Sequence, residues 1–272
     1  MALNQLVGRL RAVTSGPRAV VGAVGFLTRI PAGYREADWE AFCRVPSVMV
    51  VVAYPLGALA ALPIVAGLPA ATAAVAFPAW LVLLTGITHL DGLADLADAV
   101  VVHGDSERRL SVMRDTTTGV GAIVAVVLSV VALALAATEL RSLPWQTAVG
   151  IVVAAEVGAK LGMTSLVAFG TATHDGLGSS LTGTTGIGTA VAGALFGLPA
   201  VVLGWEPVGS VVGLEWPLVE PLAALCGAVV TTVAVSLWAQ SRLGGVTGDV
   251  FGATNELARV FALHAGAVAW TL

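Results

Sequence analysis

Polar segments divide the chain into long apolar stretches, most of them close to the length of a membrane-spanning helix. Such a helix needs about 20 apolar residues. A further apolar segment, 19–30, is too short to span, so we expect it to be re-entrant or interfacial. The pattern therefore predicts an all-α, polytopic transmembrane helix bundle with about six to seven spans. The predicted spans are 45–66, 68–90, 119–138, 147–169, 184–204, 219–238 and, as a short seventh, 257–272.

Composition supports this class. Of the 272 residues, 57% are hydrophobic and only 11% are charged, and the mean hydropathy is +0.92. Ordinary soluble domains carry about 25% charged residues. We therefore expect one integral membrane domain, residues 1–272, in which polar side chains occur only where they function or where water reaches them.

The distribution of basic residues predicts the orientation, because cytoplasmic loops carry an excess of Lys and Arg. Alternating spans place the N-terminus and the loops 91–118, 170–183 and 239–256 on one side. Eleven of the 13 basic residues fall on that side or its flanks, whereas Arg141 lies opposite and Lys160 lies inside a span. We expect a multi-pass protein of the cell membrane with its active site on the cytoplasmic face. The eleven residues are Arg9, Arg11, Arg18, Arg29, Arg35, Arg44, Arg108, Arg109, Arg114, Arg242 and Arg259.

Charge collects in one stretch, 89–119. Asp91, Asp95 and Asp98 are spaced i, i+4 and i+7, so a helix places them on one face. Carboxylates this close repel one another unless a cation neutralises them. Oxygen donors without Cys suit a hard cation such as Mg²⁺, which also binds waters and substrate phosphates. The bland alternative is a solvated acidic face, but a position at the end of a span favours the metal. Asp115 is a further candidate ligand.

The same stretch holds candidates for binding substrate. Arg108, Arg109 and Arg114 are suitable partners for phosphate oxygens. Gly92 removes a side chain beside the first carboxylate, which lets a ligand or a second helix approach closely. His89, two residues before that carboxylate, is a candidate substrate contact.

Two glycine-rich loops are expected on the same membrane face. The loop 173–186 could hold phosphate on its backbone amides, although a plain flexible loop explains its composition equally well. The loop 242–256 combines Asp249 with Gly245 and Thr247. Asp249 is either a helix cap or an acid that joins the three aspartates. We keep it as a catalytic candidate, with Gly245 and Thr247 as substrate-binding candidates.

The fourth predicted span contains Glu156 and Lys160 at i and i+4. Ionisable groups inside a membrane are costly unless they are paired or hydrated. One interpretation is a self-neutralising pair that fixes helix packing. The other is that Lys160 points toward the cytoplasmic cavity and binds phosphate. The sequence leaves both open.

Four stretches resemble the cobalamin synthase family, the adenosylcobinamide-GDP ribazoletransferases. They occur in the family's order over nearly the whole chain. The HxDGxxDxxD and GGxTGD elements are specific in combination, although neither is specific alone. The stretches are GFLTRIP (25–31), HLDGLADLADA with MRDTTTGVGA (89–99 and 113–122), GLGSSLTG (176–183) and LGGVTGDVFGATNE (243–256).

The resemblance implies an Mg²⁺-dependent transferase that completes the nucleotide loop of the B12 coenzyme. Such an enzyme joins adenosylcobinamide-GDP to α-ribazole, or to its 5′-phosphate, and releases GMP. On this hypothesis Asp91, Asp95 and Asp98 hold one or two Mg²⁺. One of them, or Asp249, takes the proton of the attacking ribose hydroxyl, and the arginines with Lys160 bind phosphate. The expected partners are these substrates and the lipid bilayer but no nucleic acid, and a homo-oligomer is left open.

Two alternatives are weighed against this hypothesis. A CDP-alcohol-type phosphotransferase needs the spacing DxxDGxxAR, which this chain lacks. A cation transporter would place its site near the bilayer midplane, often at broken helices in repeated halves. Here the acids cluster at the end of a span, and HLDGLADLAD has no second copy. The Glu156–Lys160 pair is the feature that a transporter would use best.

Overall fold

The computed structural model describes residues 16–33, 35–183, 186–202 and 219–272. Within these ranges the chain forms helices and one isolated parallel bridge, between Ala172 and Val246. The helices are α1 Gly16–Leu27, α2 Glu36–Arg44, α3 Val48–Ala60, α4 Leu62–Val65, α5 Ala70–Thr85, α6 Thr88–Val101, α7 Ser106–Met113, α8 Val120–Leu140, α9 Trp145–Phe169, α10 Leu177–Thr182, α11 Ile187–Gly197, a 3₁₀ turn Leu198–Val202, α12 Val219–Leu243 and α13 Gly248–Ala269.

The predicted all-α membrane bundle is confirmed, with fewer spans than expected. In the described part of the chain, four helical segments are long and apolar enough to cross a membrane. The pair α5 and α6 makes a fifth if the two are counted as one bent span. The four segments are Val48–Val65, Val120–Leu140, Trp145–Phe169 and Val219–Leu243.

Three predicted spans account for the difference. The stretch 68–90 breaks at Gly86, and α6 leaves α5 at an angle of 103°. The stretch 184–204 gives only the short apolar helix Ile187–Val201, and residues 184–185 and 203–204 lie outside the described ranges. The stretch 257–272 is the end of α13, which falls outside the set of spanning helices. The polar residues along α13 explain this.

The bend at Gly86 positions the acidic helix. Gly86 has a φ of 73°, a left-handed conformation that glycine adopts without steric cost. The side chain of Arg29, just after α1, lies where a Cβ on Gly86 would be. The backbone amide of Arg29 also donates a hydrogen bond of 2.7 Å to the carbonyl of Leu84. The GFLTRIP segment thus packs on the corner from which α6 begins.

Helix α13 is the centre of the bundle. It packs against α12, α6, α9 and α8, and α9 in turn packs against α3, α12 and α11. Two hydrophobic clusters lie along these helices. One is at the end that contains α6, α10 and the start of α13. The other is at the end that contains the start of α9 and the end of α13. The polar loops predicted to share one face therefore gather at the first of these ends.

Candidate functional site

A cavity of about 370 Å³ opens where α6 faces the segment between α7 and α8. Helix α6 supplies three carboxylates, and the segment after α7 supplies an arginine, a fourth carboxylate and three threonines. The stretch 89–119 therefore folds back on itself around one polar space. The polar lining residues are Asp91, Asp95, Asp98, Arg114, Asp115, Thr116, Thr117 and Thr118.

Asp91 and Asp95 are the carboxylates most available to a ligand. Asp91 is exposed and Asp95 is half-buried. In the described part of the chain neither side chain takes part in a hydrogen bond or ion pair. The negative charges of Asp91, Asp98 and Asp249 all act on Asp95. This concentration of negative charge, which the i, i+4, i+7 spacing predicted, favours a cationic ligand.

Asp249 joins this group because α6 and α13 cross closely. A Cβ on Gly92 would lie 2.9 Å from both the Cα and the carbonyl oxygen of Asp249, and a Cβ on Gly252 would lie 2.9 Å from the carbonyl oxygen of His89. Gly92 thus admits a second helix, one of the two roles that its position suggested. Burial raises the pKa of the Asp249 carboxyl, which makes it a better proton acceptor than a fully exposed carboxylate.

We predict that Gly92→Ala destabilises the protein by about 1–3 kcal/mol, the usual cost of overpacking a close contact. The added methyl group meets the backbone of Asp249, which cannot rotate away as a side chain would. Gly188→Ala is the matched control, because nothing lies within 4 Å of a Cβ at Gly188. Thermal unfolding of both variants in detergent checks the prediction, and equal unfolding temperatures would contradict it.

Asp98 caps a helix. Its Oδ2 accepts a hydrogen bond of 2.7 Å from the amide of Gly119, and its Oδ1 accepts one of 2.9 Å from the amide of Ala122. Helix α8 begins at Val120, so these are amides of its first turn, which have no partner inside the helix. A carboxylate there also interacts favourably with the helix dipole. Asp98 therefore ties α6 to α8 and has less capacity for a metal than its neighbours.

We predict that Asp98→Asn lowers stability by about 1 kcal/mol, because an amide keeps only one of the two acceptor oxygens. For a chain of this size, that loss lowers the unfolding temperature by about 2–4 °C. A thermal scan in detergent measures the effect. An unchanged unfolding temperature would contradict the capping role.

The donor set fits Mg²⁺ shared with phosphate better than a closed site made by protein alone. Among the described residues, no group of three or more His, Cys, Asp and Glu side chains is arranged to hold a metal ion. Mg²⁺ in proteins is commonly held by one or two carboxylates, waters and substrate phosphates. Asp91 and Asp95 supply such a pair. Hydrogen bonds from Thr117 hold the pKa of Asp115 below its usual value, so this carboxylate at the cavity mouth stays ionised.

The three arginines have different surroundings. Arg114 lines the cavity, and Arg108 is exposed on α7. Arg109 is buried, and its guanidinium donates hydrogen bonds to the carbonyls of Ala99 and Val100. These carbonyls belong to the last turn of α6, so Arg109 caps that helix and docks α7 on it. The cavity therefore includes only Arg114 of the predicted phosphate partners.

The two glycine-rich loops are joined by backbone hydrogen bonds. The amide of Val246 donates to the carbonyl of Thr171 at 2.8 Å, and the amide of Thr173 donates to the carbonyl of Val246 at 3.2 Å. Gly245 lies directly against the Thr171 carbonyl, so its lack of a side chain permits the backbone approach. The Thr247 hydroxyl accepts from the amide of Val250 and caps α13. Both residues thus have structural roles beside the predicted substrate contact.

Two serines of the loop 173–186 use their hydroxyl groups locally. The side chains of Ser179 and Ser180 hydrogen bond to the carbonyl of Gly176, which accounts for these two groups without phosphate. In the same loop, His174 lies near enough to Asp249 for a charge on the imidazole to act on that carboxylate. Nothing in the local sequence pattern around His174 points to this neighbour.

Lys160 lies in a buried ion network between α9 and α13. It forms an ion pair with Glu156, and Arg259 pairs with the same carboxylate. Arg259 also donates to Glu256 at 2.5 Å. The network contains two acids and two bases and is therefore neutral. Lys160, which is fully buried, does not line the acidic cavity.

The network corrects one part of the orientation argument. Arg259 was counted as a residue on the cytoplasmic flank, but it is buried inside the bundle, with 1% of its surface exposed. It therefore drops out of the loop count. Arg9 and Arg11 lie outside the described residues. The remaining basic residues still favour the end that contains α6 and α7.

Together these features define a polytopic membrane protein with a carboxylate-lined, phosphate-compatible cavity at one end of its bundle. The chain belongs to the CobS family, cobalamin-5-phosphate synthase, whose sequence model matches residues 19–267. The resemblance to this family that the sequence showed is thereby confirmed.

Curated relatives agree over most of the chain. An adenosylcobinamide-GDP ribazoletransferase of Halorubrum lacusprofundi is 48% identical over 262 residues, which cover 93% of this chain and 98% of the relative. The protein of the same name from Haloquadratum walsbyi is 40% identical, with 93% and 98% covered. That of Methanocella arvoryzae is 33% identical, with 91% and 95% covered. No solved structure matches the chain.

Proposed function

We propose that this chain joins adenosylcobinamide-GDP to α-ribazole, or to α-ribazole 5′-phosphate, and releases GMP in an Mg²⁺-dependent reaction. A ribose hydroxyl attacks the phosphorus next to the cobinamide aminopropanol, and the bond to the GMP oxygen breaks. The observation that carries the proposal is the cavity in which Asp91 and Asp95 face Arg114. Family membership and the names of the relatives support the substrates.

Each side chain has a task set by its surroundings. Asp91 and Asp95 are the residues that would hold Mg²⁺, which when bound neutralises diphosphate charge and stabilises the departing phosphate. Arg114 binds a phosphoryl oxygen through its guanidinium. Asp249, with its raised pKa, accepts the proton of the attacking hydroxyl at a carboxylate oxygen. Asp98 fixes α6 to the start of α8, and Arg109 fixes α7 to the end of α6.

We further propose that the cavity faces the cytoplasm from the cell membrane. Arg108, Arg114 and Arg242 lie at the cavity end of the bundle, whereas Arg141 lies at the other end of α8. This asymmetry supports the orientation, because basic residues are enriched in cytoplasmic loops. Labelling of single engineered cysteines from either side of intact cells tests it. We expect a membrane-impermeant reagent to leave a cysteine at position 108 unlabelled in intact cells and to label it once the membrane has been made permeable.

The test of function is GMP release by purified protein in detergent, given adenosylcobinamide-GDP and α-ribazole, with and without Mg²⁺. Release that requires both substrates and the metal is expected. No release from folded protein would overturn the proposal. Mg²⁺ flux into proteoliposomes would instead favour the transporter alternative. The neutral network of Glu156, Glu256, Lys160 and Arg259 argues against that alternative, since the protein's own cations already neutralise the buried carboxylates.

A further inference from the structure

His89 belongs to the acidic motif but lies away from the acidic cavity. Only 5% of its surface is exposed, and it is not among the residues that line the cavity. On a helix, residues two apart point in nearly opposite directions, so His89 faces the bundle where Asp91 faces the cavity. Its ring packs edge-on against Phe26, with centroids 5.9 Å apart. This arrangement therefore argues against the predicted direct contact between His89 and a substrate in the cavity.

The Nδ1 atom of His89 faces an amide on α13. The Nδ2 of Asn255 lies 3.4 Å from this nitrogen and donates a second hydrogen bond, of 2.9 Å, to Oε1 of Glu256. The contact with the Glu256 carboxylate fixes the amide orientation, because a flipped amide would point oxygen at oxygen. An amide nitrogen only donates, so this contact assigns Nδ1 as the acceptor and places the imidazole proton on Nε2. The Nε2 atom is buried and has no hydrogen-bond partner among the described residues.

Asn255 connects His89 to the buried ion network. Glu256, which accepts from Asn255, also pairs with Arg259, and Arg259 pairs with Glu156 on α9. A continuous series of buried polar contacts thus runs from α6 through α13 to α9. Charged partners hold their geometry more strongly than apolar contacts that can slide. Helix α6 is therefore fixed to the most deeply buried helices of the bundle at the position of His89.

This anchor lies next to the crossing that brings the catalytic carboxylates together. Gly252 packs against the backbone of His89, and Gly92 packs against the backbone of Asp249. The position of α6 along α13 therefore sets where Asp91 and Asp95 lie relative to Asp249.

We propose that His89 is a positioning residue. Through Nδ1 and Asn255 it fixes α6 against α13, so that the carboxylates of the cavity stay aligned with Asp249. This inference rests on the proposed transferase function.

Substitutions of His89 that keep a hydrogen-bond acceptor at the place of either Nδ1 or Nε2 distinguish the positioning role from a substrate contact. In His89→Asn the amide oxygen can occupy the place of Nδ1, and in His89→Gln it can occupy the place of Nε2. His89→Leu has the shape of the Asn variant without an acceptor. Positioning through Nδ1 predicts that His89→Asn retains turnover, whereas His89→Gln and His89→Leu lose it. Retention in His89→Gln and loss in His89→Asn would overturn the proposal and favour substrate contact through Nε2.

The partner residue gives an independent test with a matched control. Asn255→Leu removes the donor to His89, and we expect kcat to fall by about 10²-fold, the cost of misplacing reactive groups by about 1 Å. The KM for each substrate should change much less, because Arg114 and the cavity remain. Thr254 is equally buried, and its hydroxyl has no partner among the described residues, so Thr254→Val should keep its kcat. Equal losses in both variants would overturn the proposal.

A spectroscopic measurement keeps this inference separate from the transferase proposal. The chain has only four histidines, so ¹⁵N labelling of the imidazoles gives a tractable spectrum that His89→Asn assigns. We expect His89 in the wild-type protein as the Nε2–H tautomer with a hydrogen-bonded Nδ1, and the loss of that signature in Asn255→Leu. An Nδ1–H tautomer would overturn the anchor whether or not the protein releases GMP. A correct tautomer without GMP release would overturn the proposed function and, with it, the catalytic purpose of the anchor.

Discussion

Asp95→Asn is expected to fold and insert normally but to release GMP at least about 10²-fold more slowly than the wild type. This factor is typical for the loss of one preorganised electrostatic group from an active site. Asp95 is the α6 carboxylate on which the charges of Asp91, Asp98 and Asp249 all act. Its ionised form therefore lies among the other negative charges of the site. Replacing it by an equal-sized neutral amide should also raise the Mg²⁺ concentration for half-maximal turnover.

The measurement is a Mg²⁺ titration of GMP release, with Asp91→Asn as a second variant expected to change in the same direction. Glu139→Gln is the matched control, since this carboxylate is half-exposed at the far end of α8 and contacts only His264 among the described residues. It should show wild-type turnover. If Asp91→Asn and Asp95→Asn both keep wild-type turnover and wild-type Mg²⁺ response, the metal site does not lie on α6.

Arg259→Met is expected to lower the free energy of unfolding by about 3–5 kcal/mol, the typical cost of removing one partner from a buried ion network. Arg259 forms ion pairs with both Glu156 and Glu256. Without it, two buried carboxylates share the single positive charge of Lys160. The side chain that replaces it is similar in length, so the loss comes mainly from charge.

The effect is measured by unfolding the protein in detergent with heat or with denaturant. Arg44→Met is the control, because its pair with Glu40 is exposed to solvent and should contribute less than about 1 kcal/mol. The double variant Arg259→Met with Glu156→Gln should recover part of the stability, since it removes one of the uncompensated charges. An Arg259→Met protein as stable as Arg44→Met would show that the network does not stabilise the bundle.

Local patterns in the sequence were sufficient for the class of protein and for the position of the candidate site. Apolar stretches of spanning length predicted an all-α membrane bundle, because a bilayer accepts few other structures. The helical spacing of Asp91, Asp95 and Asp98 predicted a shared face, and all three line the cavity. Both inferences use periodicity within one segment, which does not depend on what packs against it.

The individual tasks of the polar residues depended on neighbours that are distant in the sequence. Asp98 looked like a third metal ligand, but amides 21 and 24 residues away occupy its oxygens. Arg109 looked like a phosphate partner, but it caps α6. Gly92 was compatible with the close approach of either a ligand or a second helix, and in the fold it is α13 that packs against it.

Helix α13 shows most clearly what the tertiary structure alone decided. From the sequence it was a short seventh apolar segment, because its polar residues lower its hydropathy and hide its length. In the fold it is the central helix, and Asn255, Glu256 and Arg259 are buried on it. Hydropathy measures how a segment interacts with lipid, so it identifies helices that lipid surrounds. It does not identify a polar helix whose partners are other helices, because those partners exist only once the chain has folded.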